Sequence, residues 1–266
     1  MIEQNFLGIP DVSFSLFVLL CIATVFTTLV GILTGTAGGL ALLAIMAIFF
    51  PPAILVPMHT FVQLGVGCSR TLLMWRFVLK NTLFPFSVGA VLGAMLGAQF
   101  FISLPSVMLQ GIIGSMILFL TWLPKLSIIG STGWRFLGVG FGATFIGMFV
   151  SATGTLVSVF LAGASEKRQN HASTLGALMS LCHLAKLVAF GLLGTSVSEY
   201  LPLIISMIFC AFLGNYIGRY FLNSMPEQWF RIIFKLFMTV LALRLLYVSG
   251  SEYMPHLLKQ FNIFHP

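Results

Sequence analysis

The chain has 266 residues, 59% of them hydrophobic and only 7% charged, with a formal net charge of +7. Soluble domains carry about 25% charged residues, so this composition excludes a soluble globular domain. It equally excludes a nucleic-acid footprint as the meaning of the basic excess, which is read instead as membrane topology through the Lys and Arg enrichment of cytoplasmic loops.

Asp, Glu, Lys and Arg are absent from 12–69, 81–124 and 136–165. Glu3 stands where a secretory signal carries Lys or Arg, so the first apolar segment is expected to be retained. In chain order the apolar segments are 12–50, 54–76, 82–101, 106–123, 136–164, 170–193, 199–218 and 229–248. A helical span needs about 20 residues. Six segments fit, and 12–50 and 136–164 are too long for one straight crossing. These two contain the small-residue stretches Gly35-Thr36-Ala37-Gly38-Gly39 and Ser151-Ala152-Thr153-Gly154-Thr155. Each is either one long tilted helix or two arms meeting at a break.

The chain carries one motif twice. Leu92-Gly93-x-x-x-Gly97-x-x-Phe100-x-x-Ser103-x-Pro105 reappears at an offset of 121 as Leu213-Gly214-x-x-x-Gly218-x-x-Phe221-x-x-Ser224-x-Pro226. At an offset of 116, Gly31 falls on Gly147, Gly38 on Gly154 and Arg70 on Lys186. One all-α membrane domain over 1–266 is therefore expected, built from repeats of about 12–123 and 136–248, each with four segments. Duplicated halves in a membrane are a transporter architecture, with substrate bound where the halves meet.

Charge chooses between the two forms of the long segments. With eight simple crossings the basic residues divide almost evenly between the two faces. With 12–50 and 136–164 as re-entrant hairpins, Arg76, Lys80, Lys125, Arg135, Lys167, Arg168, Arg219, Arg231 and Lys235 share one face. The opposite face keeps Glu3, Asp11, Glu199, Glu252, Arg244 and Lys259. That bias favours an inverted repeat in a cell (inner or plasma) membrane with both termini outside the cytoplasm. Simple spans with parallel halves stand as the alternative.

The two breaks are the first candidate site. Irregular backbone at membrane depth is tolerated where it lines a cavity or is buried in protein. New helices are expected near Leu40 and Leu156. Their first amides carry the positive end of the helix dipole and suit an anion. Thr34, Thr36, Gly38 and Gly39 in the first half, and Ser151, Thr153, Gly154 and Thr155 in the second, form this candidate set. Bulk at Gly38 or Gly154 is expected to block access and leave folding largely intact. Gly93, Gly97, Gly214 and Gly218 are read instead as close-packing faces.

Segments 54–76 and 170–193 supply Gln63, Arg70, His183 and Lys186 to the same set. A Lys or Arg at mid-membrane costs about 2.5–3.5 kcal/mol on insertion scales. Arg70 and Lys186 either line the path or snorkel to an interface. His59 is read as a satisfied helix contact. No Asp or Glu lies inside a segment, which disfavours a cation carrier and points to a small anionic substrate. Cys21, Cys68, Cys182 and Cys210 lie in apolar segments without a C-x-x-C pair and act as small apolar residues. No catalytic residue, metal or cofactor is assigned. The partners are the anion and the lipid bilayer, a second copy of the chain stays open, and nucleic acid is excluded.

Several of these motifs resemble a known family. Gly31-x-x-x-Gly35-x-x-Gly38-Gly39-Leu40 followed by Pro51-Pro52, the polar second segment ending in Trp75-Arg76, and the repeated Leu-Gly-x-x-x-Gly…Pro motif are similar to the TauE/SafE sulfite exporter family over about 28–248. The resemblance implies a multi-span permease, often an exporter, for sulfite, sulfonates or related organic acids. Two stretches depart from the family pattern. They are Ser151-Ala152-Thr153-Gly154-Thr155, where a glycine-rich break is usual, and Pro57-Met58-His59-Thr60, where a Gly-Thr-Ser-like stretch is commoner. A passive anion channel, and a membrane-embedded enzyme or assembly protein, are the alternatives.

Overall fold

The structure, a computed structural model, describes residues 5–34, 37–122, 134–150, 153–162, 164–165, 167–222, 235–236 and 238–251. These residues form α-helices and short 3-10 turns, with no strand among them. The helices are α1 (Phe14–Thr34), α2 (Ala37–Met46), α3 (Pro52–Leu73), α4 (Leu83–Ser103), α5 (Ser106–Trp122), α6 (Arg135–Val150), α7 (Gly154–Ala162), α8 (Arg168–Leu192) and α9 (Leu201–Phe221), then α10 (Met238–Ser251). The stretches that include α1, α4, α8 and α9 are long and apolar enough to cross a membrane. With 22 residues α3 has the same length, but it carries His59, Thr60, Gln63, Ser69 and Arg70, all buried.

Both long apolar segments are broken, and both new helices start earlier than Leu40 and Leu156. The Thr34 hydroxyl explains the first. It donates to the Val30 carbonyl at 2.8 Å and accepts the Ala37 N–H at 3.3 Å. One side chain thus ends α1 and caps α2. In the second break the Thr153 carbonyl already accepts the Leu156 N–H at 3.0 Å. Elsewhere the ends follow familiar chemistry. Pro52 opens α3. Gly194, at φ +72°, lets Thr195 N–H reach back to the Phe190 carbonyl at 3.0 Å and closes α8.

Small residues set the packing and reveal the helix directions. Gly89, Gly93 and Gly97 face Leu137, Phe141 and Phe145, so α4 and α6 advance together in steps of four and run parallel. Gly214 faces Val25, and Gly218 faces Leu29 and Ile32, so α1 and α9 are parallel too. By contrast α3 and α8 are antiparallel. Gly67 meets Ser180 and Gly176 meets Thr71, and Ser173 Oγ donates to the Met74 carbonyl at 2.8 Å. So are α5 and α10, where Ser249 Oγ donates to the Val107 carbonyl at 2.9 Å and Trp122 Nε1 to Thr239 Oγ1 at 3.0 Å.

The two ends of the bundle differ in charge. Phe50 packs edge-on against Tyr200 with centroids 5.8 Å apart, which brings the end of the α1–α2 hairpin to the start of α9. Asp11 and Glu199 lie within electrostatic reach of Tyr200. At the other end Asn170 donates to the Phe77 carbonyl at 3.0 Å and Arg168 to the Leu222 carbonyl at 3.2 Å. Arg76, Lys80, Lys167, Arg168 and Arg219 gather there. Arg135 joins them where α6 starts beside α4, and Lys235 sits 4.9 Å over the Trp122 ring at the end of α5. Lys125, Arg231 and Lys259 lie outside the described residues.

The contrast between filled and open glycines is testable. A Cβ at Gly93 would fall on the Phe141 carbonyl, whereas one at Gly142 meets nothing within 4 Å. Overpacking typically costs about 1–3 kcal/mol, and a backbone neighbour cannot rotate away. We expect Gly93→Val to lower folded yield and melting temperature in detergent, and Gly142→Val to leave both near wild type. Equal behaviour of the two variants would remove the α4–α6 seam as a determinant of assembly.

Candidate functional site

The polar residues of α3 and α8 converge on one cavity of about 50 Å³. Its walls come from α1 (Thr27, Thr28, Gly31), the first turn of α2 (Gly38, Gly39, Leu40), α3 (Gln63, Val66, Gly67, Arg70), the start of α7 (Thr153, Gly154) and α8 (Leu175, Gly176, Met179, His183). No carboxylate among the described residues lines it. The two helix starts that meet there belong to helices of 10 and 9 residues. At 1.5 Å per residue each is about half a membrane deep.

In the first half, α2 is clamped to α1. A Cβ on Gly38 would strike the Thr27 carbonyl and the Gly31 backbone. The expectation that Gly38→Val spares folding therefore fails, because added bulk there would part the hairpin rather than obstruct a ligand. From the other side α3 braces the same turn. His59 Nε2 lies 2.9 Å from the Gly39 carbonyl and 3.2 Å from the Gln63 amide nitrogen. A carbonyl only accepts, so Nε2 carries the proton. Amide oxygen and nitrogen are interchangeable by a flip. With the Gln63 oxygen turned to His59, its NH₂ faces away from the ring. The sequence reading of His59 as a satisfied helix contact holds for Nε2, whereas Nδ1 is buried without a partner among the described residues.

Arg70 is 6% exposed and lines the cavity. A Cβ at Gly31 would lie 3.2 Å from its guanidinium nitrogen, so the missing side chain makes room for the head group. Arg70 Nε donates to Asn215 Oδ1 at 3.3 Å. Asn215 Nδ2 in turn donates to the Val66 carbonyl at 2.8 Å and to Ser69 Oγ at 2.7 Å. Lys186 is fully buried and sits behind Thr153, with both next to Gly147. The echo of Gly31, Gly38 and Arg70 by Gly147, Gly154 and Lys186 is thus an echo in space. In each half a glycine of the first helix lies against the cation. Both charges are held inside the bundle, not extended to its surface.

Nδ1 of His183, on a residue 3% exposed, and Nδ1 of the fully buried His59 have no hydrogen-bond partner among the described residues. The Thr153 hydroxyl, on a residue 1% exposed, has beside it the Cys182 thiol, a weak partner. Buried polar groups are normally satisfied, so the two on the wall, Thr153 Oγ1 and His183 Nδ1, are available to a ligand or water.

Of the sequence-derived set, Gly38, Gly39, Gln63, Arg70, Thr153, Gly154 and His183 meet at the cavity. Thr34 is consumed as the hinge cap. Thr155 is not on the wall, and Lys186 stands one layer behind it. Thr36 and Ser151 lie outside the described residues. Sequence reasoning missed Thr27, Thr28, Gly67, Gly176 and Met179 on the wall, and Asn215 behind Arg70. Asn215 had a signal: it is a lone amide in an apolar span, and its repeat mate at the 121 offset is Ala94.

A multi-span helical bundle that turns a buried arginine and two helix N-termini onto a carboxylate-free cavity has the form of a membrane permease for anions. The family model "Sulfite exporter TauE/SafE" matches residues 20–245, and the chain belongs to that family. It is accordingly a multi-pass membrane transporter of sulfite or related anions, in a family of transporters and not of enzymes. Comparison with curated proteins and with solved structures finds no match.

The Asn215 contact generates a prediction. Asn215→Leu removes the acceptor of Arg70 Nε and strips Ser69 and the Val66 carbonyl of a donor. Leaving a buried group unmade costs about 1–3 kcal/mol, more when a charge is involved. We expect a lower melting temperature in detergent together with weaker sulfite binding. Unchanged binding would separate Arg70 from the site.

Proposed function

We propose that the protein moves a small inorganic oxyanion of the sulfite class out of the cell, bound between the starts of α2 and α7. The observation that carries this reading is the cavity, which holds Arg70 and buried polar atoms available to a ligand and, among the described residues, has no carboxylate on its wall. Its size supports a compact substrate. A water needs about 10–15 Å³ of such volume, so about 50 Å³ suits an ion of roughly four heavy atoms better than an extended sulfonate. Arg70 supplies charge-assisted hydrogen bonds. The first amides of α2 and α7 supply donors and dipole without adding a formal charge.

The halves form an inverted repeat in this reading. Equivalent helices related by a two-fold along the membrane normal would be parallel. The equivalent pairs α3 with α8, and α5 with α10, run antiparallel, which supports an axis in the membrane plane. The clustering of Arg76, Lys80, Arg135, Lys167, Arg168, Arg219 and Lys235 supports a cytoplasmic assignment for that end. We expect reporters after Lys80 and Lys167 to read cytoplasmic, and reporters at Asp11, Pro52 and Ser196 to read outside. Opposite sides for Asp11 and Pro52 would rule out the re-entrant hairpin.

The binding test is sulfite counterflow in proteoliposomes. Thr153→Ala removes a hydroxyl whose neighbour inside the bundle is the Cys182 thiol, a weak hydrogen-bond partner. One hydrogen bond to a charged ligand is worth about 1.5–3 kcal/mol, or roughly ten- to a hundred-fold in affinity. Gly154→Val is the clean steric probe, because a Cβ there meets only Met179 at ordinary contact distance. We expect it to raise the half-saturation constant without lowering folded yield. Wild-type sulfite affinity in both variants would move the site elsewhere.

A further inference from the structure

His183 stands out among the cavity residues. It is one helical turn before Lys186 on α8, it lines the wall beside Met179 and Thr153, and its Nδ1 is buried without a hydrogen-bond partner among the described residues. Arg70, across the cavity on α3, is a fixed charge, whereas imidazole gains or loses a proton in the physiological range. Nδ1 of His59 is likewise buried without a partner among the described residues, but its Nε2 is tied to the Gly39 carbonyl and its ring is off the wall, so of the two only His183 reaches the cavity.

We propose that His183 takes up a proton together with the anion, which makes the transporter a proton–anion symporter with this imidazole as its proton site. The inference rests on the anion-site reading above. The charged and titratable groups around His183 are Lys186 and Cys182 on its own helix, and His59 and Arg70 on α3. The described residues of α2, α4 and α7 bring none, and α6 brings only Arg135 at its far end. An imidazolium in this setting adds a positive charge next to Arg70 and Lys186, away from bulk water, where like charges repel strongly. A bound oxyanion removes that repulsion. It also needs donors, and an imidazolium has two where neutral imidazole has one. Anion and proton therefore bind cooperatively, and by linkage each raises the affinity for the other by the same factor. The proton adds to the lone pair of the neutral ring from the face where the anion enters. It leaves to the opposite face when the anion departs. No carboxylate is required.

The test counts protons. Proteoliposomes with a trapped pH dye and labelled sulfite give the protons moved per sulfite for wild type and for His183→Gln. Sulfite's own titration is common to both, so the difference belongs to the side chain. The expected result is one further proton per sulfite in wild type than in His183→Gln, whose sulfite counterflow is weakened because the anion loses a donor. Equal counts overturn the proposal. If His183→Gln shows no counterflow, wild-type protein labelled with ¹⁵N-histidine decides. Adding sulfite at constant pH should convert one neutral imidazole signal to imidazolium, and no conversion overturns the proposal. Absence of sulfite counterflow in the wild type is a different failure. It removes the anion site itself, and this inference with it.

Discussion

Arg70 and Lys186 put two positive charges inside a bundle whose central cavity has no carboxylate on its wall, and the surrounding architecture is organised by that constraint. Charges in low dielectric repel each other and lose their hydration. The protein manages this with neutral polar groups and with space. Asn215 accepts from the Arg70 guanidinium and is itself anchored by Val66 and Ser69. Gly31 and Gly147 withhold the side chains that would collide with the cations or their neighbours. A site built this way is incomplete without a negative charge, and this gives an anion its differential affinity. A carboxylate in the same position would have satisfied the cations and abolished the site.

Glycine also joins the site to the packing of the whole bundle. The α4–α6 and α1–α9 seams close backbone to backbone through Gly89, Gly93, Gly97, Gly214 and Gly218. Close seams of this kind replace the hydrophobic driving force that lipid does not supply. They fix the outer helices, so α3 and α8 can meet across Gly67 and Gly176 and carry their polar faces inward. Polarity that would be costly against lipid is thereby spent on the interior, where α3 has its histidine, glutamine and arginine.

Much of this was legible in the sequence, for physical reasons that can be named. Segments 12–50 and 136–164 were too long for one straight crossing, which left a tilted helix or a break, and the helices end and restart around the small-residue stretches. The offset of 116 paired Arg70 with Lys186, and each cation lies beside a glycine of the first helix of its half, closely at Gly31 and at ordinary contact distance at Gly147. Boundaries were less legible. Both short helices begin earlier than expected; for α2 the reason is the Thr34 hydroxyl, which needs only a short turn to link two helices, and periodicity does not report that. Contacts across the halves were not legible at all. Asn215 reaches Arg70 over 145 positions, and only the fold brings them together. The role of Gly38 was misjudged for the same reason. Its neighbour Thr27 is a carbonyl on the adjacent helix, invisible to a reading that treats a glycine as an opening for ligand.

The two re-entrant hairpins are related but not equal. In the first, Gly38 is pressed onto the α1 backbone, and His59 and Gln63 hold the Gly39 turn from the other side. In the second, among the described residues, a Cβ at Gly154 would meet the flexible end of Met179, and the Thr153 hydroxyl has the weak Cys182 thiol beside it. Local stability follows the density of such contacts, so the start of α7 opens at lower cost than the start of α2. Alternating access between the halves, as proposed above, does not require identical gates. It requires two arrangements close enough in free energy for a ligand's differential affinity to shift them. A tightly packed first hairpin braced by α3, which carries Arg70, opposite a second break beside His183 and Lys186 on α8, fits that requirement with the groups the chain provides.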